Sequence, residues 1–179
     1  FAIHVGERDS GFNRNKVALK WKDKLSALQK EDRSGYMHYV RIHAGRGHWM
    51  YREDAVAVDW MAKHIRQPLP KRIVWKQDNV VHDSFYWLFL PDGQAAARME
   101  IRATLKGQII ELSGPAGKRV QINLSDALVN LKIPVKIMSK GKELFSGKLS
   151  RTIANLATSL DRRRDHNFML PTRREVTLP

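Results

Sequence analysis

The spacing of hydrophobic residues divides the chain into two parts, with the change near residue 67. In the first part, short apolar runs alternate with longer segments in which apolar residues recur every three or four positions. The runs Phe1–Gly6 and Tyr36–His43 are typical of strands, and the segments that follow them are typical of helices. Strands that alternate with helices indicate a parallel sheet. We therefore predict that residues 1–67 form an α/β segment with two parallel strands and their helices.

Two amphipathic helices are predicted in this part of the chain. The first begins after Asn13, a residue type that caps helices well, and runs to about Lys30; the second begins near Asp54. Each carries an apolar stripe that we expect to cover the sheet. The stripe of the first helix consists of Val17, Trp21, Leu25 and Leu28, and that of the second of Val56, Val58, Trp60, Met61 and Ile65.

The second part of the chain follows Pro68-Leu69-Pro70, where neither proline can continue a helix. We place the domain boundary here, between residues 1–67 and 68–179. Beyond it the apolar residues alternate with polar ones, as in Met99–Leu105 and Val120–Leu124. Alternation with period two is typical of strands with one buried face. The second part is therefore predicted to be an antiparallel, β-sandwich-like domain.

Two further features complete the predicted β-rich domain. Lys106-Gly107 and Lys140-Gly141 supply turns between short strands. One helix is predicted from Thr152 to about Arg162. It carries Ile153, Leu156 and Leu160 on the side expected to pack against the sheet.

Composition narrows the classes of function. The chain has 179 residues, a formal net charge of +14 and no cysteine, so disulfides, thiolate metal sites and cysteine nucleophiles are excluded. No apolar run reaches the roughly 20 residues of a membrane span. The basic excess is spread over both halves without interleaved aromatic residues, which argues against a nucleic-acid interface. Composition leaves the cellular compartment open.

Two loops carry the residues best suited to chemistry. Asp9 follows the first predicted strand by three residues, and His48 follows the second by five, in the segment Gly45-Arg46-Gly47-His48-Trp49. Catalytic groups gather at the carboxyl ends of strands in open parallel sheets, so these two side chains are expected to face each other. A carboxylate beside an imidazole fixes its tautomer and stabilises the imidazolium. Glu7 is the alternative acid.

The chain resembles the C-terminal portion of bacterial α/β-hydrolase-fold esterases of the dienelactone-hydrolase-like kind. The resemblance lies in Arg-Asn-Lys-Val-Ala at 14–18, Ile-His-Ala-Gly-Arg-Gly-His-Trp-Met at 42–50 and His-Asp-Ser-Phe-Tyr-Trp-Leu at 82–88. It implies that residues 1–67 are a remnant of the hydrolase sheet and that a β-rich extension follows. It also implies ester hydrolysis with Asp9 as triad acid and His48 as base, no cofactor, and a periplasmic or secreted location in preference to others.

The sequence departs from this family at the nucleophile. No serine here has glycine two residues before and two residues after it, as the Gly-x-Ser-x-Gly elbow requires. The chain opens at Phe1 without an initiator methionine, which is typical of a processed or truncated product. We therefore expect the serine in a missing N-terminal hydrolase segment, and we expect residues 1–179 to be inactive alone.

Several aromatic residues and histidines have alternative interpretations. Trp49, His82, Phe85 and Trp87 are candidates for an acyl or aryl pocket, although the aromatic run at 85–89 is more simply explained as packing between the two halves. His38 and His43 point to opposite faces of one strand, and the remaining histidines are isolated. The sequence therefore predicts no metal site.

Two expectations concern partners. A hydrolase sheet that lacks its other strands has an open edge, so we predict self-association through residues 1–67. The alternative function is a binding module, in which the basic β-rich domain recognises an acidic polymer or a partner protein. A steep loss of affinity with added salt is the signature of such a module.

Overall fold

The computed structural model describes residues 1–65 and 67–179. The chain divides into two compact units, Phe1–Arg66 and Gln67–Pro179. This division falls one residue before the boundary predicted from the prolines. Within the described residues, no helix has the length and apolar character needed to cross a membrane.

The first unit is a two-stranded parallel sheet with helices. Its elements are β1 (Ala2–Gly6), α1 (Arg14–Glu31), β2 (Tyr39–His43) and α2 (Val56–Ala62), with short 3-10 turns before each helix. The strands pair in parallel, from Ala2 opposite Tyr39 to Gly6 opposite His43. The predicted pair of parallel strands with helices is therefore confirmed.

The apolar stripes of α1 and α2 are less covered than predicted. In α1 the buried residues are Ala18 and Leu25, whereas Val17 and Trp21 are 44% and 51% exposed. In α2 no residue is buried. The physical reason is width: two strands lie only about 4.8 Å apart, while a helix with its side chains is about 10 Å across. A two-stranded sheet is too narrow to cover both stripes.

The second unit contains a five-stranded and a four-stranded sheet. In the larger sheet the strand order is β10-β9-β7-β6-β3, and in the smaller one it is β11-β8-β5-β4. The prediction of a purely antiparallel arrangement is wrong for one pair, because β7 and β9 run parallel. The bounds are β3 (Arg72–Lys76), β4 (Ser84–Phe85), β5 (Leu88–Phe89), β6 (Glu100–Lys106), β7 (Ile109–Ser113), β8 (Arg119–Leu124), β9 (Val135–Ser139), β10 (Lys142–Gly147) and β11 (Thr172–Thr177).

The alternating residues of β6 and β8 lie in the core, as predicted. Ile101, Ala103 and Leu105 on β6 are at most 3% exposed, and the apolar residues of β8 are fully buried. Both sheets contribute to this one hydrophobic cluster. The predicted turn at Lys140-Gly141 joins β9 to β10, and both of its residues have positive φ.

Helix α3 (Ile153–Arg163) begins where predicted, but its packing face is displaced from the predicted one: Leu156 is half-buried, whereas Ile153 and Leu160 are exposed. The Thr152 hydroxyl caps it by accepting a hydrogen bond from the Asn155 amide at 3.1 Å. Ile153 is 86% exposed, so the predicted apolar side is wrong at this position. The buried residue is Ser159, whose hydroxyl accepts a hydrogen bond from the Leu170 amide at 2.9 Å. The small serine lets the helix approach this following segment closely.

Candidate active site

Asp9 and His48 meet at the carboxyl ends of β1 and β2. Because the two strands are parallel and Gly6 lies opposite His43, the loops that follow them leave the same edge of the sheet. His48 Nδ1 lies 3.0 Å from Asp9 Oδ2, which is hydrogen-bonding distance. The two candidate residues are therefore in direct contact across 39 residues of sequence.

The surroundings of the two side chains differ strongly. The Asp9 side chain is 8% exposed, and that of His48 is 57% exposed. Asp9 is held by its backbone, since its amide donates to the Gly6 carbonyl and its carbonyl accepts from the Asn15 amide. Arg14 Nε lies 3.5 Å from the same carboxylate oxygen that contacts His48. The carboxylate is thus fixed and can orient the more exposed ring.

The ring of His48 has one nitrogen engaged and one available. Nδ1 contacts Asp9, whereas Nε2 has no hydrogen bond to any residue in 1–65 or 67–179. In a neutral imidazole that donates Nδ1–H to a carboxylate, Nε2 carries the lone pair. The geometry therefore leaves a proton acceptor on the exposed side of the ring.

The two loops pack together through their backbones. A Cβ atom added at Gly6 would lie 2.0 Å from the Gly47 carbonyl oxygen and 2.4 Å from that of Arg46. The Arg8 amide donates to the Arg46 carbonyl at 2.8 Å. Gly6 is thus required for the close approach that brings Asp9 to His48. The sequence places Gly6 at the end of a strand and three residues before Asp9, but it does not show this close approach, because the opposing backbone is 40 residues away.

Glu7, the alternative acid, supports the histidine loop without touching the ring. Its Oε2 accepts a hydrogen bond from the Gly45 amide at 2.8 Å. Gly45 has a φ of +69°, a left-handed conformation that glycine adopts without strain. The structure therefore places Asp9, and not Glu7, against His48.

Two open pockets flank His48. One, of about 360 Å³, is lined by Asp9, His48 and mainly apolar side chains that include Val5, Trp21 and Met50. The other, of about 550 Å³, is lined by His48 and by the loop Trp49–Arg52. The Trp49 ring stands edge-on to His48, with centroids 5.4 Å apart, so this predicted pocket residue does lie beside the base.

The other three predicted pocket residues lie in the second unit and separate into two environments. Trp87 is fully buried and donates from Nε1 to the Pro70 carbonyl at 2.8 Å. It is a core residue of that unit, which corrects its assignment to a pocket surface. His82 and Phe85 line a pocket of about 620 Å³. The aromatic run thus divides between core and surface.

His4, predicted to be isolated, pairs with His43. Their Nδ1 and Nε2 atoms lie 3.0 Å apart, and His43 Nδ1 lies 3.3 Å from Glu53 Oε2. A hydrogen bond from Arg46 lowers the pKa of Glu53, while burial and then the neighbouring His43 lower the pKa of His4. Within the part of the chain that the structure describes, no three His, Cys, Asp or Glu side chains are placed to hold a metal ion.

Several arginines of the second unit contact carboxylates or aromatic rings within it, whereas most of its lysines form no ion pair among the described residues. Five arginines form ion pairs with carboxylates, and the rings of Phe168 and Phe145 lie under Arg163 and Arg174. The arginines in these ion pairs are Arg98, Arg102, Arg119, Arg151 and Arg162. Binding of an acidic polymer stays a prediction that the structure does not specifically favour.

Comparisons of this chain with protein-family models, with curated proteins and with solved structures give no significant match. A functional assignment consequently depends on the geometry of the chain itself. The arrangement with the clearest chemical meaning is the contact between Asp9 and His48.

Proposed function

We propose that this chain supplies the acid and the base of a serine-hydrolase catalytic triad, as the C-terminal portion of an α/β-hydrolase-fold esterase. Asp9 is the acid and His48 the general base. The observation that carries the proposal is the 3.0 Å contact between His48 Nδ1 and Asp9 Oδ2 at the carboxyl ends of paired parallel strands. Triads are recognised by geometry and roles of this kind.

The chemistry follows from the two ring nitrogens. Asp9 accepts a hydrogen bond from Nδ1–H, which keeps the lone pair of the neutral ring on Nε2. Nε2 then takes the proton of a serine hydroxyl as the hydroxyl oxygen attacks the carbonyl carbon of an ester. The buried carboxylate stabilises the imidazolium so formed. The same proton is later given to the leaving alkoxide, which restores the neutral ring.

The nucleophile is the part that this chain does not supply. Because no serine lies in a Gly-x-Ser-x-Gly elbow, we assign the serine and the oxyanion donors to a polypeptide segment outside residues 1–179. The chain by itself then performs no acyl transfer, since the covalent step needs the serine. We assign the second unit as the β-sandwich-like extension, supported by a core that both of its sheets share.

The test is to supply a polypeptide that carries the serine and to substitute Asp9 and His48 one at a time. A segment that carries the serine elbow is joined or mixed with this chain, and hydrolysis of p-nitrophenyl acetate is measured. We expect activity that His48→Ala abolishes and that Asp9→Asn lowers by roughly 10⁴ in kcat.

Glu7→Gln is the matched control, because Glu7 is the neighbouring carboxylate and its side chain accepts a hydrogen bond from the Gly45 amide of the loop backbone. This variant should retain activity within a few-fold. Hydrolysis that is unaffected by His48→Ala, or that depends on Glu7 instead of Asp9, would show the proposal to be wrong.

A further inference from the structure

The pocket that His82 and Phe85 line in the second unit lies beside an edge strand of each of its two sheets. Strand β3 is the last strand of the five-stranded sheet, and β4 is the last strand of the four-stranded sheet. The pocket has a volume of about 620 Å³, within the usual range for small-molecule sites. Trp75, Asn79, His82, Ser84 and Phe85 are among the residues that line it.

The loop that forms one wall of this pocket is held in place by side chains. Gln77 is 3% exposed; its amide donates to the His82 carbonyl at 2.6 Å and accepts from the His82 amide at 3.0 Å. Arg98 pairs with Asp78 and donates to Asn79 Oδ1 at 2.8 Å. A wall fixed in this way needs little ordering when a ligand binds.

Two stacked aromatic rings form an apolar platform in the pocket. The centroids of Trp75 and Phe85 are 5.9 Å apart and their planes are inclined by 26°. Trp75 is 4% exposed, whereas Phe85 is 37% exposed; the Tyr86 ring also stands edge-on to Phe85, with centroids 4.7 Å apart. An exposed aromatic ring has apolar area and an electron-rich face, against which the C–H groups of a ligand can pack.

Polar groups without internal partners surround this platform. The Asn79 amide nitrogen, the His82 ring and the Ser84 hydroxyl have no hydrogen-bond partner within the described residues. The one carboxylate in the lining, Asp78, is paired with Arg98. The lining also includes Lys76. The pocket therefore combines an apolar ring with hydrogen-bonding side chains, a carboxylate paired with an arginine and one ammonium group, which suits a ligand rich in hydroxyl groups.

The edge of β3 is poorly suited to adding a strand from another polypeptide. Its exposed side chains include Arg72 and Lys76, and basic residues on an edge strand disfavour strand pairing. A compact ligand inside the pocket is thus favoured over an extended peptide along the edge.

We propose that this pocket binds a carbohydrate. One sugar ring stacks on Phe85, and its hydroxyl groups form hydrogen bonds with Asn79, His82 and Ser84. This binding site is independent of the Asp9–His48 pair and of the proposed hydrolase chemistry.

The experiment uses the full chain and three uncharged probes: cellohexaose, xylohexaose and mannohexaose. Binding is measured by isothermal titration calorimetry at moderate salt, which suppresses non-specific attraction to the basic surface. At least one probe should bind with a Kd of millimolar or tighter. Phe85→Ala and His82→Ala should each weaken this binding by about tenfold or more, which corresponds to 1.4 kcal/mol.

Phe12→Ala is the matched control, because Phe12 is an aromatic residue of the first unit that is 91% exposed. It should leave the Kd unchanged within twofold. The His82 ring has no internal partner among the described residues, so His82→Ala remains informative even if Phe85→Ala fails to fold. The proposal is overturned if no probe binds at millimolar concentration, if both pocket variants bind as tightly as the parent chain, or if only an extended peptide binds.

Discussion

Asp9 is buried and His48 is exposed, and this difference determines what each side chain can do. The carboxylate has little access to water and is fixed by backbone hydrogen bonds, so it holds the ring in one orientation. The ring itself remains open to a reacting group on its Nε2 side. Among single residues, this contrast is the strongest support for an acid–base role.

The first prediction concerns the tautomer of His48. Asp9→Asn replaces an obligate acceptor with an amide that can donate to Nδ1, so the neutral ring should shift its proton from Nδ1 to Nε2. Long-range proton–nitrogen NMR correlations report the tautomer directly. Glu7→Gln should leave it unchanged, because Glu7 Oε2 bonds to the Gly45 amide. If both variants keep the proton on Nδ1, Asp9 does not fix the ring.

Gly6 is the second residue on which the site depends. Gly6→Ala would place Cβ 2.0 Å from the Gly47 carbonyl oxygen, so one loop must move away from the other. We expect this change to lower the free energy of unfolding of the first unit by about 3 kcal/mol and to break the Asp9–His48 contact. Urea unfolding and the His48 NMR signals measure the two effects.

Gly47→Ala provides the matched comparison for Gly6→Ala. A Cβ at Gly47 meets nothing within 4 Å, so its effect should stay within about 0.5 kcal/mol. Equal effects of the two substitutions would mean that loop flexibility, and not close backbone approach, limits stability.

At the scale of elements, the parallel pairing of β1 and β2 brings two histidines together inside the first unit. Glu53, whose pKa is lowered by Arg46, accepts Nδ1–H of His43. Neutral His43 can then accept Nδ1–H of His4 at its Nε2. This order of donors leaves the buried His4 Nε2 without a partner among the described residues. An added proton on His4 is consequently disfavoured.

The third prediction is a loss of stability on acidification. The pKa of His4 in the folded chain lies below its ordinary value of 6.5, because of burial and then the nearby His43. Above pH 6.5, His4 is neutral in both the folded and the unfolded chain, so it does not change the free energy of unfolding. As the pH falls below 6.5, the unfolded chain binds a proton that the folded chain does not, so the free energy of unfolding of the first unit decreases.

Amide hydrogen exchange of β1 and β2 at pH 7.5 and pH 5.5 measures this effect. His4→Gln should reduce the difference between the two conditions, since the group that titrates is gone. His64→Gln, at an exposed position after α2, should retain it. Greater protection at the lower pH would contradict the prediction.

The sequence predicted some helices and strands better than others, and individual residues show why. Strands and turns of the second unit follow local alternation, and the buried series Met99, Ile101, Ala103 and Leu105 needs no distant information. The parallel β7–β9 pair depends on contacts between segments far apart, which alternation does not encode. Ser159 packs because α3 meets Leu170 there, and a serine gives no apolar signal.

At the scale of the whole molecule, the first unit presents uncovered apolar surface. Strand β1 pairs only with β2 among the described residues, so its other edge has unpaired backbone groups. Val17 and Trp21 of α1, both about half exposed, line the apolar pocket that Ile3 and Val5 of β1 also line. Open strand edges and exposed apolar side chains favour association.

The fourth prediction is self-association through residues 1–67. The sedimentation coefficient of the chain should rise with concentration, and Trp21→Glu should suppress the rise by placing a charge on this surface. Ile153→Glu is the control, because Ile153 is 86% exposed on α3 of the second unit. A sedimentation coefficient that stays monomeric at the highest concentration would show that the edge is not used.

The sequence by itself determined the features that depend on local spacing. The period of apolar residues predicted the change from α/β to β-rich structure and two parallel strands, and the positions of Asp9 and His48 after those strands predicted that they would face each other. The period is a property of neighbouring residues. The pairing and the facing loops follow from it because strands joined through a helix run parallel and end at the same edge of the sheet.

Only the tertiary structure decided the features that depend on which segments meet. It assigned Glu7 to the Gly45 amide and showed that the close approach of the two loops depends on Gly6. It paired His4 with His43, buried Trp87 and left Trp21 exposed. Burial and contact across the chain are set by packing between distant segments, and no local pattern specifies them.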